Sequence, residues 1–493
     1  MARAMHKSNS YIGLSLIFFM PTTVKEALMN TRPPYTFPTS RLQLLIIAGL
    51  VLTAGCSDVV SLDATETEFV AEELNKRKAP PVNGSDIAAW GQSIQSRSTK
   101  ARHFHLLDLA LVPARPGKLI AGSDSVRLVV GTHGSATADS VLQIVLEKHK
   151  IFNRFEYKTA IHGLAVTMPV ANLDSFITDT DNAPAVSFTE PDVSVPYDSG
   201  TRGTAPATTQ EVPWSIPSIG ADLSSTMAGD GTGEVDIDLY VLDSGAESSD
   251  LNIVECLQFT RLMGAEPCTS TEDQDGHGTG VALAAAAIDD QEGIVGVAPG
   301  ARVHVVKALR ENGNTPLGAL VAVVDYLTER KLANPSVPMV VNISLGADVK
   351  TTRYNALDEA IQASIATGVV YVLSSGNSAI NAEKVSPAHV AEAITVGAYN
   401  EYGLFSSFAN YGSVLDISAP GEDVLSMTPQ NELGYASGTS LAAPYVAGAA
   451  ALLLSQEPTL TPAQVRERIV SSGTATIGGT PDETTNKALF VDW

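Results

Sequence analysis

The sequence predicts an α/β fold, a three-layer arrangement of a mostly parallel sheet with helices on both faces, preceded by a small α+β unit. Three observations lead there. From Val212 onward, short apolar runs alternate with helical patterns, the signature of strand–helix–strand units. The strand candidates (235–242, 303–309, 339–344, 368–373 and 393–397) are apolar almost throughout, as strands covered on both faces must be. Between them, Leu317, Leu320, Val321, Val324 and Leu327 share one helical face, and so do Ala356, Ala360, Ile361 and Ile365. Reactive groups on such a sheet gather at the carboxyl ends of its strands.

The chain has 493 residues, enough for two or three domains plus a targeting segment. With 44% hydrophobic and 17% charged residues it is globular, not disordered. A net charge of −23 argues against nucleic acid or an anionic membrane surface as an electrostatic partner. No run after the N-terminal region reaches the roughly 18 apolar residues of a membrane span.

Residues 1–55 read as an N-terminal and signal region. The apolar run 44–55 follows Arg41 and ends in small residues before Cys56, as a signal does before its cleavage site. Met29, ahead of Asn30-Thr31-Arg32, would give such a signal ordinary length, so Met29 is the expected start; the run 12–20 is a competing signal. Leu52-Thr53-Ala54-Gly55-Cys56-Ser57 resembles a bacterial lipoprotein signal, although Thr53 stands where an aliphatic residue is usual. That resemblance implies lipidation of Cys56 and an exported protein, lipid-anchored in the bacterial envelope or secreted. An ordinary secretory signal or a buried thiol is the alternative.

Residues 56–124, interrupted by Pro80-Pro81 and Gly84, read as a linker or tether with some helix. Strands at 126–130, 160–168 and 185–188, with helices at 138–148 and 171–178, make 125–197 the α+β unit. The Gly/Ser/Thr/Ala/Pro-rich stretch 198–209 is a cleavable linker, and 210–493 is the large domain. In an oxidising compartment Cys256 and Cys268 could pair and close a small loop; free buried thiols are the alternative.

Four polar residues each end an apolar strand or open a helix. Asp243 closes 237–242, His277 stands in Gly276-His277-Gly278-Thr279 before an Ala-rich helix, Asn377 ends Ser375-Gly376-Asn377, and Ser440 precedes a helix in Gly438-Thr439-Ser440-Leu441-Ala442-Ala443-Pro444. Singly these read as turns and caps. Pro444 suits the early part of its helix, where a missing N–H costs little.

Together these motifs resemble the subtilisin-like serine proteases, whose order is Asp, His, Ser. Val212-Pro213-Trp214, Gly296-Val297-Ala298-Pro299-Gly300-Ala301, Asn342-Ile343-Ser344-Leu345-Gly346 and Thr395-Val396-Gly397-Ala398 support the resemblance, which covers 210–493. It implies a serine endopeptidase working through an acyl-enzyme: Ser440 attacks, His277 moves the proton, Asp243 holds the ring, and Asn377 with the Ser440 N–H receives the oxyanion. Substrate would lie along Ser344, Leu345 and Gly346, with Ser374, Ser375 and Gly376 walling a roomy, mostly apolar pocket for the residue before the scissile bond.

The loop 289–293 resembles the family's calcium loop, which implies a structural calcium held by Gln210, Asp250, Ile288, Asp290, Glu292 and Ile294. Residues 125–197, through His162-Gly163-Leu164-Ala165-Val166 and Thr189-Glu190-Pro191-Asp192, resemble the inhibitory propeptide, which implies a self-processing zymogen whose partners are peptide substrates and its own propeptide, otherwise a monomer. Gly280 and Leu283 depart from the family's His and Gly, which implies altered packing or a wider crevice. Two rivals stand against this. One is a catalytically inactive, peptide-binding lipoprotein of the same fold. The other is an esterase, which would show a Gly-x-Ser-x-Gly elbow that Thr439, Leu441 and Ala442 do not supply.

Overall fold

Val126, Leu128 and Val130 share one buried face of a strand, and Val129 on the opposite face is buried in a second cluster, so this strand is covered on both sides. The computed structural model describes residues 84–107, 111–112, 125–151, 153–196, 202–206, 209–259, 264–268, 270–309, 314–491 and 493. All of them belong to the unit Arg77–Trp493. The expected signal region, Met29 and Cys56 lie outside the described residues, among which no helix is long and apolar enough to cross a membrane.

The small unit contains helix α1 (Gly84–Arg97), strand β1 (Ser125–Thr132), helix α2 (Ser140–Lys148), strands β2 (Asn153–Tyr157) and β3 (Gly163–Pro169), helix α3 (Leu173–Asn182) and strand β4 (Val186–Pro191). β1 lies between β3 and β4, antiparallel to both, and β2 pairs with the far edge of β3. Leu128, Val130, Leu142, Leu164, Phe176 and Ile177 form its core. β2, whose five residues include Asn153, Arg154 and Glu156, has no apolar alternation to announce it. Residues 56–124 are expected to be a linker or tether with some helix; α1 is a helix within that stretch, and Ile87, Ile94, Phe104 and Leu107 pack into the same core.

Two short strands follow, β5 (Ser194–Pro196) and β6 (Arg202–Pro206). β6 falls inside the expected linker. The large domain contains β7 (Asp238–Asp243), β8 (Ile253–Gln258), helix α4 (His277–Ala286), β9 (Arg302–Lys307), β10 (Asn314–Pro316), helix α5 (Leu317–Ala333), β11 (Met339–Ile343), helix α6 (Ala356–Ala366), β12 (Val370–Ser374), β13 (Ile394–Tyr399), β14 (Ile417–Pro420), β15 (Val424–Met427), β16 (Glu432–Ala436), helix α7 (Thr439–Gln456) and helix α8 (Pro462–Ser472). β6 pairs antiparallel with β16, which supplies the backbone partners its composition does not advertise.

The central sheet runs β8–β9–β7–β11–β12–β13–β14, every neighbour parallel; beyond it 266–267 pairs antiparallel with β8, and 487–488 pairs parallel with β14 and antiparallel with 474–475. β7 starts at Asp238 rather than Val235. β8 and β14 were not anticipated, since β8 carries Glu255 and Gln258 on its half-exposed length and β14 has only four residues. Two cores flank the sheet: α4 and α7 pack on one face, α5 and α6 on the other.

α4 and α7 are buried along nearly their whole length and built largely of Ala and Gly. Small residues let the two backbones approach closely. A Cβ on Gly448 would stand 2.7 Å from the Ala285 carbonyl oxygen and 2.8 Å from Val297 Cβ, so only glycine fits there. The unusual Gly280 and Leu283 both lie buried in α4 and contribute to this core.

Candidate active site

β7, β11 and β12 are parallel neighbours, so their carboxyl ends lie along one edge of the sheet, and the residues after β11 and β12 line one crevice. Asp243 is the last residue of β7, Ser344 follows β11, and Asn377 follows β12. His277 opens α4 and Ser440 is the second residue of α7. The α4–α7 contact therefore brings two helix N-termini to those strand ends.

His277 Nδ1 lies 2.7 Å from Asp243 Oδ1, with both residues buried. The same carboxylate oxygen accepts the Ser244 N–H at 2.7 Å. Gly276 precedes the imidazole in a left-handed conformation (φ 86°). Gly278 follows it, where a Cβ would stand 2.1 Å from the Gly245 carbonyl oxygen and 2.9 Å from Asp243 Cβ. Glycine at 278 is what lets α4 sit against β7.

Burial works against protonating the His277 ring. Asp243, with Asp275 and Asp273 behind it, outweighs that effect and holds the imidazole above its ordinary value.

Asp273 was not singled out from the sequence. Its buried carboxylate accepts from the Ser244 hydroxyl (2.8 Å), the Gly276 N–H (3.0 Å), the Thr279 N–H (2.8 Å) and the Thr279 hydroxyl (2.7 Å). It ties the start of α4 to the end of β7. Its place three residues before the Gly276-His277-Gly278 turn was the available signal.

Asn377 Oδ1 accepts the Thr439 N–H and the Thr439 hydroxyl, both at 2.8 Å, which fixes the amide. A Cβ on Gly438 would stand 2.7 Å from Ser440 Oγ and 3.3 Å from Asn377 Nδ2, so hydroxyl and amide N–H₂ flank one point. Ser440 Oγ hydrogen-bonds to no described residue.

Pro444 is not in the first turn but at the sixth position of α7, where its missing N–H would have bonded the Ser440 carbonyl. That carbonyl instead accepts the Ser344 hydroxyl at 2.8 Å, and Asn342 Nδ2 donates to the same hydroxyl at 2.9 Å. The proline thus leaves an acceptor that ties the Ser440 turn to the strand end at 344.

Ser344, Leu345, Gly346, Ser374, Gly376, Asn377, Thr439 and Ser440 line one cavity of about 80 Å³, with Pro196 as a further wall; Ser375, fully buried, backs it. With Pro196 in its lining, the cavity of the uncut chain is small. A Cβ on Gly346 would meet Val385 Cγ1 at 3.4 Å and one on Gly376 would meet it at 3.8 Å, so a buried isopropyl group lies between the two walls. Pro196 ends β5, which pairs antiparallel with β10 (Asn314–Pro316), an edge the sequence analysis did not anticipate.

Asp250, Gln210, Ile288 and Ile294 converge away from this crevice. Asp250 Oδ2 accepts the Ile294 N–H at 2.9 Å, and Gln210 Nε2 donates to the Ile288 carbonyl at 3.4 Å. Asp290 and Glu292 are exposed. Burial pushes the Asp250 carboxyl up to about 7, and the neighbouring Asp290 and Glu292 add to it. Among the described residues no three His, Cys, Asp or Glu side chains cluster as metal ligands. Cys256 and Cys268 form a disulfide, with their Cα atoms 5.3 Å apart.

A parallel α/β sheet with a buried Asp–His pair and a serine at a helix start defines a subtilisin-like hydrolase. The subtilase family profile matches residues 240–488. Subtilisin DY of Bacillus licheniformis is 36% identical over 270 residues, 54% of this chain and 92% of that protein. Subtilisin BL of Lederbergia lenta is 35% identical over 268 residues, 54% of this chain and 93% of that protein. The crystal structure of a cold adapted subtilisin-like serine proteinase aligns at 32% identity with a TM-score of 0.46, covering 52% of this chain and 88% of that one. The chain belongs to the subtilase family and is a serine-type endopeptidase.

In full-length protein carrying Ser440→Ala, the His277 ring resonance is expected to titrate with a midpoint above about 6.5, the ordinary histidine value. Asp243→Asn removes the charge that holds the proton and should lower that midpoint. A parent midpoint below 6.5 in an NMR titration would contradict this account of the ring's surroundings.

Proposed function

We propose that this chain is an exported, self-processing zymogen whose peptidase acts through an acyl-enzyme on Ser440. The observations that carry the reading are the 2.7 Å Asp243–His277 pair and, at the start of the helix packed against α4, Ser440 beside the fixed Asn377 amide. Ser440 Oγ attacks the scissile carbonyl carbon while His277 Nε2 takes its proton, and Asp243 stabilises the imidazolium through Nδ1–H. The carbonyl oxygen becomes anionic and accepts from Asn377 Nδ2 and the Ser440 N–H at the positive end of α7. Collapse expels the amine, which leaves with the proton from His277. Water then repeats the sequence on the acyl group and restores the hydroxyl. Loss of one oxyanion donor costs about 100- to 1000-fold in turnover, a magnitude known from subtilisin itself.

Inhibition by 125–197 is supported by how that unit covers the crevice. β5 occupies the β10 edge and ends with Pro196 in the cavity. Asp192 accepts the Gly318 N–H at 2.8 Å and Glu190 the Ala356 N–H at 2.9 Å, placing carboxylates on the first turns of α5 and α6, where helix ends favour negative charge. Asp325 of α5 returns the contact, accepting the N–H groups of Lys158, Thr159 and Ala160. Cutting within 198–209 would free the enzyme. Cys56 is the proposed lipid anchor.

A structural calcium suits the 210/250/288–294 cluster. Asp250 is buried, the Ile294 N–H is the one donor to its carboxylate among the described residues, and the Gln210 amide meets the Ile288 carbonyl nearby in the chain's loop 288–294, oxygens of the hard kind that calcium takes. Gln210, Asp250 and the loop carrying Ile288, Asp290, Glu292 and Ile294 would hold the ion and neutralise that buried charge. Chelator should lower the melting temperature of the parent at pH 8. Asp250→Asn should abolish the chelator response and melt above the metal-free parent; equal chelator sensitivity in both would remove calcium from this site.

Comparing wild type with Ser440→Ala tests the reaction. Wild type should label with a fluorophosphonate and be trimmed within 198–209, and the variant should do neither. Self-trimming of purified Ser440→Ala would end the self-processing reading.

The short pocket points to small side chains before the scissile bond. Val385→Gly should raise kcat/KM on peptides with Phe at that position at least about tenfold, since burying a ring gains 1.4 kcal/mol or more, and leave Ala peptides nearly unchanged. A parent that already favours Phe over Ala would refute Val385 as the limit.

A further inference from the structure

Residues 84–107 precede the inhibitory unit and are absent from the chemistry described so far, yet they touch both the unit and the enzyme. Lys100 and Arg102 exchange backbone hydrogen bonds with Thr189 at 2.9 Å on each side, extending the small sheet beyond β4. Lys100 Nζ donates to the Ala183 carbonyl at 2.7 Å just past the end of α3, and Ser98 Oγ donates to Asp181 at 2.7 Å. The strand-like segment is thereby fixed to the unit before it turns toward the large domain.

Arg102 stands at the crossing point and is 4% exposed. Its Nε donates to Glu190 Oε2 at 2.6 Å and its Nη1 to Glu359 Oε1 of α6 at 2.6 Å. The guanidinium carbon lies 3.3 Å from the centre of the Phe188 ring. Glu190 is the same carboxylate whose other oxygen accepts the Ala356 N–H. One buried cation therefore serves the carboxylate that docks the inhibitory unit and a carboxylate on the helix it docks against. A buried Glu190 without that cation would be a costly uncompensated charge. Beyond it, the His103 ring nitrogen Nε2 lies 3.2 Å from the Tyr354 carbonyl and His105 Nε2 lies 2.9 Å from the Val349 carbonyl. Leu106 joins the apolar cluster that includes Val349, Ala356 and Leu357.

We propose that the Val349–Tyr354–Glu359 face of the peptidase is a docking surface for the Arg-His-x-His segment 102–105, which fastens the inhibitory unit to the enzyme through Arg102. The inhibitory module is accordingly longer than 125–197 and starts within α1. This rests on the zymogen reading only for its consequence, slower release after cutting; the fastening itself is a property of the uncut chain.

The test uses full-length Ser440→Ala protein and amide hydrogen exchange, with Arg102→Ala, Glu359→Ala and Arg97→Ala each added to it. Glu359→Ala leaves the Arg102–Glu190 pair intact, so it separates loss of fastening from misfolding of the small unit. Exchange at 100–106 and at 354–360 should rise at least about tenfold in Arg102→Ala and Glu359→Ala. Arg97→Ala, whose ion pair with Asp174 lies on the exposed side of the small unit, should leave both segments unchanged. In the active chain, the same two variants should shorten the interval between linker cutting on a gel and the onset of peptidase activity. Unchanged exchange in both variants overturns the fastening whatever the linker does. Raised exchange with a wild-type linker that stays uncut keeps the fastening and removes self-processing instead.

Discussion

The site depends on one close contact, the packing of α4 against α7 beneath the central sheet. Each helix carries one reactive group at its amino end, His277 or Ser440, and neither group is positioned by its own loop alone. Gly448 against Ala285, and Gly278 against Gly245 and Asp243, leave no room for a single extra carbon. A core built of Ala and Gly gains less per residue from burial than one of Leu and Phe. It obtains in return a backbone separation that larger side chains would forbid. The accuracy of the Asp243–His277 pair is thus a packing result, with Asp273 and the Ser344–Ser440 hydrogen bond securing the two loose ends.

Charge placement explains how the small unit lies across the crevice. Its carboxylates Glu190 and Asp192 meet the N–H groups that start α6 and α5, while the large domain returns Asp325 to the backbone of 158–160. Buried carboxylates are expensive unless hydrogen-bonded or paired. Arg102 settles the account for Glu190, which is why a segment so far upstream belongs structurally to the covering unit.

Much of the fold was legible because its physics is local. Apolar runs of strand length and helices with one apolar stripe announce themselves by period and composition. Asp243, His277, Asn377 and Ser440 were legible for a different reason: each sits where a strand stops or a helix starts. What escaped notice has no local signature. β2 and β8 carry charged residues because they lie nearer an edge, and β6 is a strand only because β16 offers it partners. Asp273 looks like any loop acid until its four donors are seen. The Ser and Gly walls suggest a roomy pocket, but they do not reveal that Val385, nine residues past Gly376, stands close to both Gly346 and Gly376 in the fold.

By itself the sequence determined the α/β class and the family, and it supplied the residues proposed for catalysis, since periodicity and short motifs are properties of neighbouring residues. Tertiary structure alone decided the shape of the pocket, the partner of the acceptor left by Pro444, the bond from Asp273 to Ser244 at the end of β7, and the reach of Arg102 from one unit to the other. Each of these is a contact between segments distant along the chain, and such contacts exist only once the backbone has closed on itself.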